Sequence, residues 1–108
     1  HARRMRARYR AARDVVTQTI AEASHGILQV QSPEQGMHMV AHLPERTTAE
    51  TAGSIRTAAN VESRLLSEMR MSKAKGDGFV LGFAGHDISA LETAAWQLGR
   101  AARDQFKT

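Results

Sequence analysis

The sequence predicts an α+β fold: a two-layer sandwich, helices packed on a mainly antiparallel sheet, in the order α-β-β-α-β-β-α. Three observations predict it. Apolar residues recur at helical spacing at both ends of the chain. Between them lie short segments that alternate with a period of two. The most apolar run, Gly78-Phe79-Val80-Leu81-Gly82-Phe83-Ala84-Gly85, carries no charge and reads as a buried central strand.

Residues 2–24 read as one helix. Met5, Tyr9, Ala12, Val16, Ile20 and Ala23 form a single stripe, and Gly26 falls where a left-handed cap residue is favoured. Residues 27–31 make a short strand, with Leu28 and Val30 on one face and Gln29 and Gln31 on the other. A loop from Ser32 to Gly36 leads to a second strand, in which Met37, Met39, Ala41 and Leu43 alternate with His38, Val40 and His42. Thr47 and Glu50 have the spacing of a capping box. The helix after them turns Ala52, Ile55 and Ala59 inward, and Asn60 suits its left-handed end. Residues 61–66 pattern as a third strand, and residues 67–77 as a polar loop. The central strand takes residues 78–84, with Phe79, Leu81 and Phe83 on one face. Val80, Gly82 and Ala84 are small, which predicts close packing against the backbone on that side. Ser89 and Glu92 form a second capping box, and Ile88, Leu91, Ala95, Leu98, Ala102 and Phe106 mark the closing helix.

A chain of 108 residues fits a single domain. It has no cysteine, which excludes a disulfide framework and a thiolate metal site. No run approaches the roughly 20 apolar residues of a membrane helix. The formal net charge of +4 is concentrated: six arginines stand within residues 3–13, and the remainder is nearly neutral. Cations at a helix N-terminus oppose its macrodipole, so this start calls for acidic partners or for more helix upstream. A chain that opens at His1, inside a helical pattern, is expected to be a piece of something longer.

Several segments together resemble one family. His1-Ala2-Arg3-Arg4-Met5-Arg6 with Tyr9 and Arg13-Asp14 resembles the helix motif H-x-R-R-M-R-x-x-Y-x-x-R-R-D. Gly36-Met37-His38-Met39-Val40 resembles G-[LM]-H-x-V, Asn60-Val61 the G-V before the third strand, Leu66-Ser67 the L-S of P-L-S-x-Y-Y, and Leu81-Gly82-Phe83-Ala84 the motif L-L-G-[YF]-A. These occur in this order in the C-terminal part of MocR-type regulators of the GntR family. Those proteins join a winged-helix DNA-binding domain to an aminotransferase-like domain of fold type I that binds pyridoxal phosphate. The resemblance spans nearly the whole chain.

The resemblance implies that residues 1–108 are the small C-terminal subdomain of such a protein. It would be cytoplasmic and would not catalyse by itself. It would close over a cofactor and effector site built by an absent large subdomain. The Schiff-base lysine, the phosphate-binding residues and the winged helix would all lie upstream, so DNA would be bound only through the absent N-terminal domain. In related aminotransferases an arginine holds the substrate carboxylate at the position of Val80. The tyrosines of L-S-x-Y-Y are Met69 and Arg70 here, and its proline is Leu65. A plain aminotransferase is the second reading, and a stand-alone basic-helix nucleic-acid module is the third.

Candidate residues follow. Arg3, Arg4, Met5, Arg8 and Tyr9 would dock the first helix to the large subdomain or to a second subunit, as a homo-oligomer; phosphate contact and a solvated face are the alternatives. His38 would line the cleft toward the cofactor. His38 and His42 lie about 13 Å apart along a strand, too far to share a metal in that geometry. Gly76-Asp77-Gly78 with Gly82 has the wrong spacing and order for a dinucleotide loop and reads as turn chemistry. Lys73 and Lys75 stand in a polar loop that would not lower an amine pKa. Ser67 and Ser89 show no His–carboxylate pair, and the methionines read as packing. No catalytic, cofactor-binding or metal-ligating residue is assigned.

Overall fold

A computed structural model describes residues 2–31, 38–61, 63–69, 77–82 and 87–106. The order is α1 (Ala2–Ser24), β1 (Gln29–Gln31), β2 (His38–His42), α2 (Ala49–Ala59), β3 (Arg64–Leu65), a 3₁₀ turn (Ser67–Met69), β4 (Gly78–Gly82) and α3 (Ile88–Gln105). The four strands form one sheet in the order β1-β2-β4-β3, and every neighbouring pair is antiparallel. The chain is therefore the expected α+β sandwich, with β2 and β4 at its centre.

Register explains why the sheet has one helix-covered face. Val30 pairs with Ala41, Ala41 with Phe79, and Phe79 with Leu65, so these four form one row across all strands. Met39 and Leu81 form the next row of the same face. Met39, Ala41 and Phe79 are 0 % exposed. They join Val16 and Ile20 of α1, Ala52 and Ile55 of α2, and Ala95, Leu98 and Ala102 of α3 in one core. Burying a Phe, Ile or Leu side chain in this way is worth about 1.5–3 kcal/mol. The residues of opposite parity, Gln29, Gln31, Val40, His42, Arg64, Val80 and Gly82, are half-buried or exposed.

The helix ends differ from the expected ones in detail. At the end of α1, His25 rather than Gly26 takes the first left-handed position, with φ 53°, and Gly26 follows at φ 81°. The His25 N–H donates to the Glu22 carbonyl and the Gly26 N–H to the Ala21 carbonyl, the paired bonds of a Schellman turn. The Ser24 hydroxyl, fully buried, accepts from the Leu28 N–H at 3.2 Å. The cap of α2 is Thr48, not Thr47: its hydroxyl accepts from the Thr51 N–H at 3.2 Å. Asn60 ends that helix in the left-handed region, as expected. The cap of α3 is Asp87, whose carboxylate accepts from the Ala90 N–H at 2.7 Å, and so the helix starts before the Ser89 box. Ile88 lies outside the core, 41 % exposed.

The strands are shorter than their patterns. Of residues 61–66 only Arg64–Leu65 pair as a strand, because the chain then folds into the 3₁₀ turn. Residues 83–84 of the expected central strand lie outside the described residues. Close approach on the small side of β4 occurs at Gly78, where a β-carbon would stand 2.8 Å from the Ala41 carbonyl oxygen. At Gly82 the backbone is exposed instead.

Candidate docking surface

The residues singled out in the sequence fall on two separate parts of the fold. Arg4, Arg8 and Arg10 are exposed near the start of α1, and its first turn contains no acidic residue. None of the three makes an ion pair among the described residues, whereas Arg13 reaches Asp14 at 3.5 Å. Arg8 and Arg10 are about 200° apart around the helix at 100° per residue, so the charge surrounds α1 rather than forming one stripe. Arg3 and Met5 belong to the same helix, but their side chains lie outside the described set. Tyr9 is half-buried and packs against the core of its own chain.

His38 lies at the start of β2 opposite Gly82, and its side chain is likewise outside the described set. Val40 and His42 lie on the sheet face opposite the described helices. On that face Gln31, Val40, Val80 and Arg64 stand in one row from edge to edge. The half-buried Val40–Val80 pair is apolar, and polar groups flank it. His42 Nε2 lies 3.1 Å from Gln31 Oε1, a hydrogen bond that joins the two edge-side strands. Helix α1 packs on the other face, through Val16 and Ile20.

Two polar networks had no signal in the sequence. Arg56 of α2 donates to both carboxylate oxygens of Glu68 at 2.9 and 3.1 Å, and its Nη1 also donates to the Ser63 carbonyl. Glu68 in turn accepts from the Leu65 N–H at 2.9 Å. The fork of the guanidinium matches the carboxylate, which ties α2 to the 3₁₀ turn. The Arg56 hydrogen bond and then that of Leu65 hold the Glu68 carboxyl below its ordinary value, and the Glu68 bond raises Arg56.

The second network centres on Asp77, 3 % exposed. Its carboxylate accepts from the Ser67 N–H at 3.0 Å, the Ser67 hydroxyl at 2.6 Å and the Gly78 N–H at 2.8 Å. Its carbonyl accepts from the Leu43 N–H. Asp77 is thus a folded hinge pin between β2, β4 and the 3₁₀ turn. Ser67 has a carboxylate neighbour, and among the described residues no histidine is bonded to it.

No group of three or more metal-ligating side chains occurs among the described residues. Lys73, Lys75, His86 and Lys107 lie outside the described residues. No helix among the described residues is long and apolar enough to cross a membrane. A scan of protein-family models and a comparison with curated proteins yield no match for this chain.

Proposed function

We propose that this chain is the non-catalytic small C-terminal subdomain of a MocR-type regulator of the GntR family. It would pack its helix-free sheet face toward a large, pyridoxal-phosphate-binding subdomain. The observation that carries this reading is the placement of Gly36-Met37-His38-Met39-Val40. This motif of the resemblance ends in β2, a central strand, and Val40 lies on the face that none of the described helices covers. A half-buried Val40–Val80 pair in the middle of a polar face gives a large subdomain an apolar contact, and Gln31 and Arg64 supply hydrogen-bonding edges to it.

The basic start of α1 supports the same reading. Unpaired cations where the macrodipole is already positive are stabilised by acidic groups from a neighbouring domain or subunit. Val80 stands at the position of the substrate-carboxylate arginine of related aminotransferases, and the segment upstream decides between a regulator and a plain aminotransferase. A cytoplasmic location belongs to the same proposal. The test is the native polypeptide: isolated from its source, it should be several hundred residues long, with a winged helix and a cofactor lysine upstream. A native product of 108 residues overturns the proposal, and so does binding of pyridoxal phosphate by this chain through Lys73 or Lys75.

A further inference from the structure

Two large hydrophobic side chains are exposed among the described residues, Ile88 and Trp96, and both stand on α3. Trp96 is 44 % exposed. It follows Ala95 of the buried stripe by one residue, which rotates it about 100° off the core direction. It sits at the lip of a groove of about 480 Å³ between the end of α2 and α3, whose walls include Ala58, Asn60, Gln97 and Ala101. Trp is seldom left this open on a surface that meets only water, and it is among the residues that dominate interfaces.

The neighbours of Trp96 on its own ridge decide what it meets. Glu92 is four residues before it and Arg100 four residues after, both exposed. Neither makes an ion pair in the described structure, where Arg103 takes Asp104 and Arg56 takes Glu68. An i±4 ridge is the row that helices most often interdigitate. The row reads acid, Trp, base, and it is therefore its own complement when reversed.

We propose that the Glu92–Trp96–Arg100 ridge of α3 is a self-docking surface. A second copy of this chain crosses it antiparallel about a two-fold axis at Trp96. Each Glu92 then faces the other copy's Arg100, twice by symmetry, and each indole enters the other copy's α2–α3 groove. The charges lie about 6 Å on either side of the crossing, at 1.5 Å per residue, close enough to pair even where the helices diverge. The helix is about 27 Å long at that rise, so the contact is smaller than the roughly 800 Å² per partner of standard complexes and the dimer is weak and reversible. This inference is independent of the regulator reading, and it uses a different surface from the start of α1.

Sedimentation velocity over a concentration series tests it. The chain should show a monomer–dimer equilibrium, and Trp96→Ala should raise the dissociation constant at least about tenfold. Glu92→Arg and Arg100→Glu should each do the same alone, since each sets like charges face to face. The double variant Glu92→Arg/Arg100→Glu should restore the dimer, and so should an equimolar mixture of the two single variants, as a mixed dimer. All positions are exposed, so circular dichroism should be unchanged. A chain that stays monomeric to about millimolar concentration overturns the proposal. A dimer unmoved by Trp96→Ala, or one that the double variant fails to restore, overturns it as well.

Discussion

Gly99 of α3 meets Ala23 of α1 so closely that a β-carbon on Gly99 would lie 2.6 Å from the Ala23 β-carbon and 3.0 Å from the Ser24 nitrogen. Both residues are buried. The approach lets the last turn of α1 rest directly on α3, just before the His25–Gly26 turn sends the chain into the sheet. Gly→Ala inside a helix ordinarily stabilises by about 1 kcal/mol. Here the sign reverses, because one of the atoms met is backbone and cannot rotate away. Gly99→Ala should cost about 1–3 kcal/mol, the usual scale of overpacking. Adding Ala23→Gly should recover part of that loss. Chemical denaturation of the single and double variants reads both effects, and a Gly99→Ala protein as stable as the parent would show that the helices can move apart freely.

Adjacent Thr47 and Thr48 make a paired prediction. The Thr48 hydroxyl caps α2, and the Thr47 hydroxyl is buried with no hydrogen-bond partner among the described residues. Thr48→Val should cost about 1 kcal/mol, the worth of an N-cap. Thr47→Val removes an unsatisfied hydroxyl without changing shape, so it should be neutral or stabilising. Thermal melts of the two variants should therefore move apart, and equal losses would contradict the assignment of the cap.

What the sequence made legible, and what it did not, follows the range of the interaction. The strand order of residues along the chain and the inward set Met39, Ala41 and Phe79 came from alternation, a local signal that the sheet preserves. The caps came out one or two residues early or late, because Thr47 and Thr48, or Asp87 and Ser89, carry equivalent oxygens and only backbone angles choose between them. Contacts between Ala23 and Gly99, Arg56 and Glu68, or Ser67 and Asp77 leave no periodic trace, since their partners are set by how whole elements pack. The exposure of Trp96 emerged only from the structure. The arginines of α1 were visible as a cluster, but their distribution around the helix needed the helical angle as well as the count.

Acid should loosen the tie between Arg56 and Glu68. Glu68 has a folded-state pKa below its ordinary value of 4.5, chiefly through the Arg56 hydrogen bond. A depressed carboxyl contributes stability that is present above the unfolded value and is lost as pH falls through the folded one. Arg56 is raised and keeps its charge throughout. The melting temperature should therefore drop between about pH 5 and pH 3 more steeply in the parent than in Glu68→Gln. The gap between the two should be widest near neutrality. Parallel pH curves would mean that the pair contributes nothing. Amide exchange at Leu65 gives a local check, because its N–H donates to the Glu68 carboxylate.

Asp77 should matter more than its place in a turn suggests. Three donors converge on one buried carboxylate, and two of them are backbone N–H groups. Asp77→Ala should cost about 1–3 kcal/mol, because it leaves buried donors unsatisfied. Ser67→Ala, which removes one hydroxyl from the network and keeps its N–H bond, should cost less. The order of the two losses in urea unfolding is the discriminating result, and a larger loss at Ser67 would move the centre of the network.

Arg4 separates a solvated helix start from a docking surface. It is exposed, without an ion pair among the described residues, in the first turns of α1, where the macrodipole is unfavourable to a cation. In the 108-residue chain, Arg4→Glu should therefore raise stability by about 0.3–1 kcal/mol at low salt, and the gain should fade as salt is added. Arg8→Glu, a turn further in, should change little, since the dipole effect falls off beyond the first turn. In a longer polypeptide that presents acidic groups to this helix, the same Arg4→Glu change should instead weaken the domain contact, because it sets like charges together. Opposite signs in the two contexts would establish docking through this helix, and the same gain in both would establish that its arginines face only water.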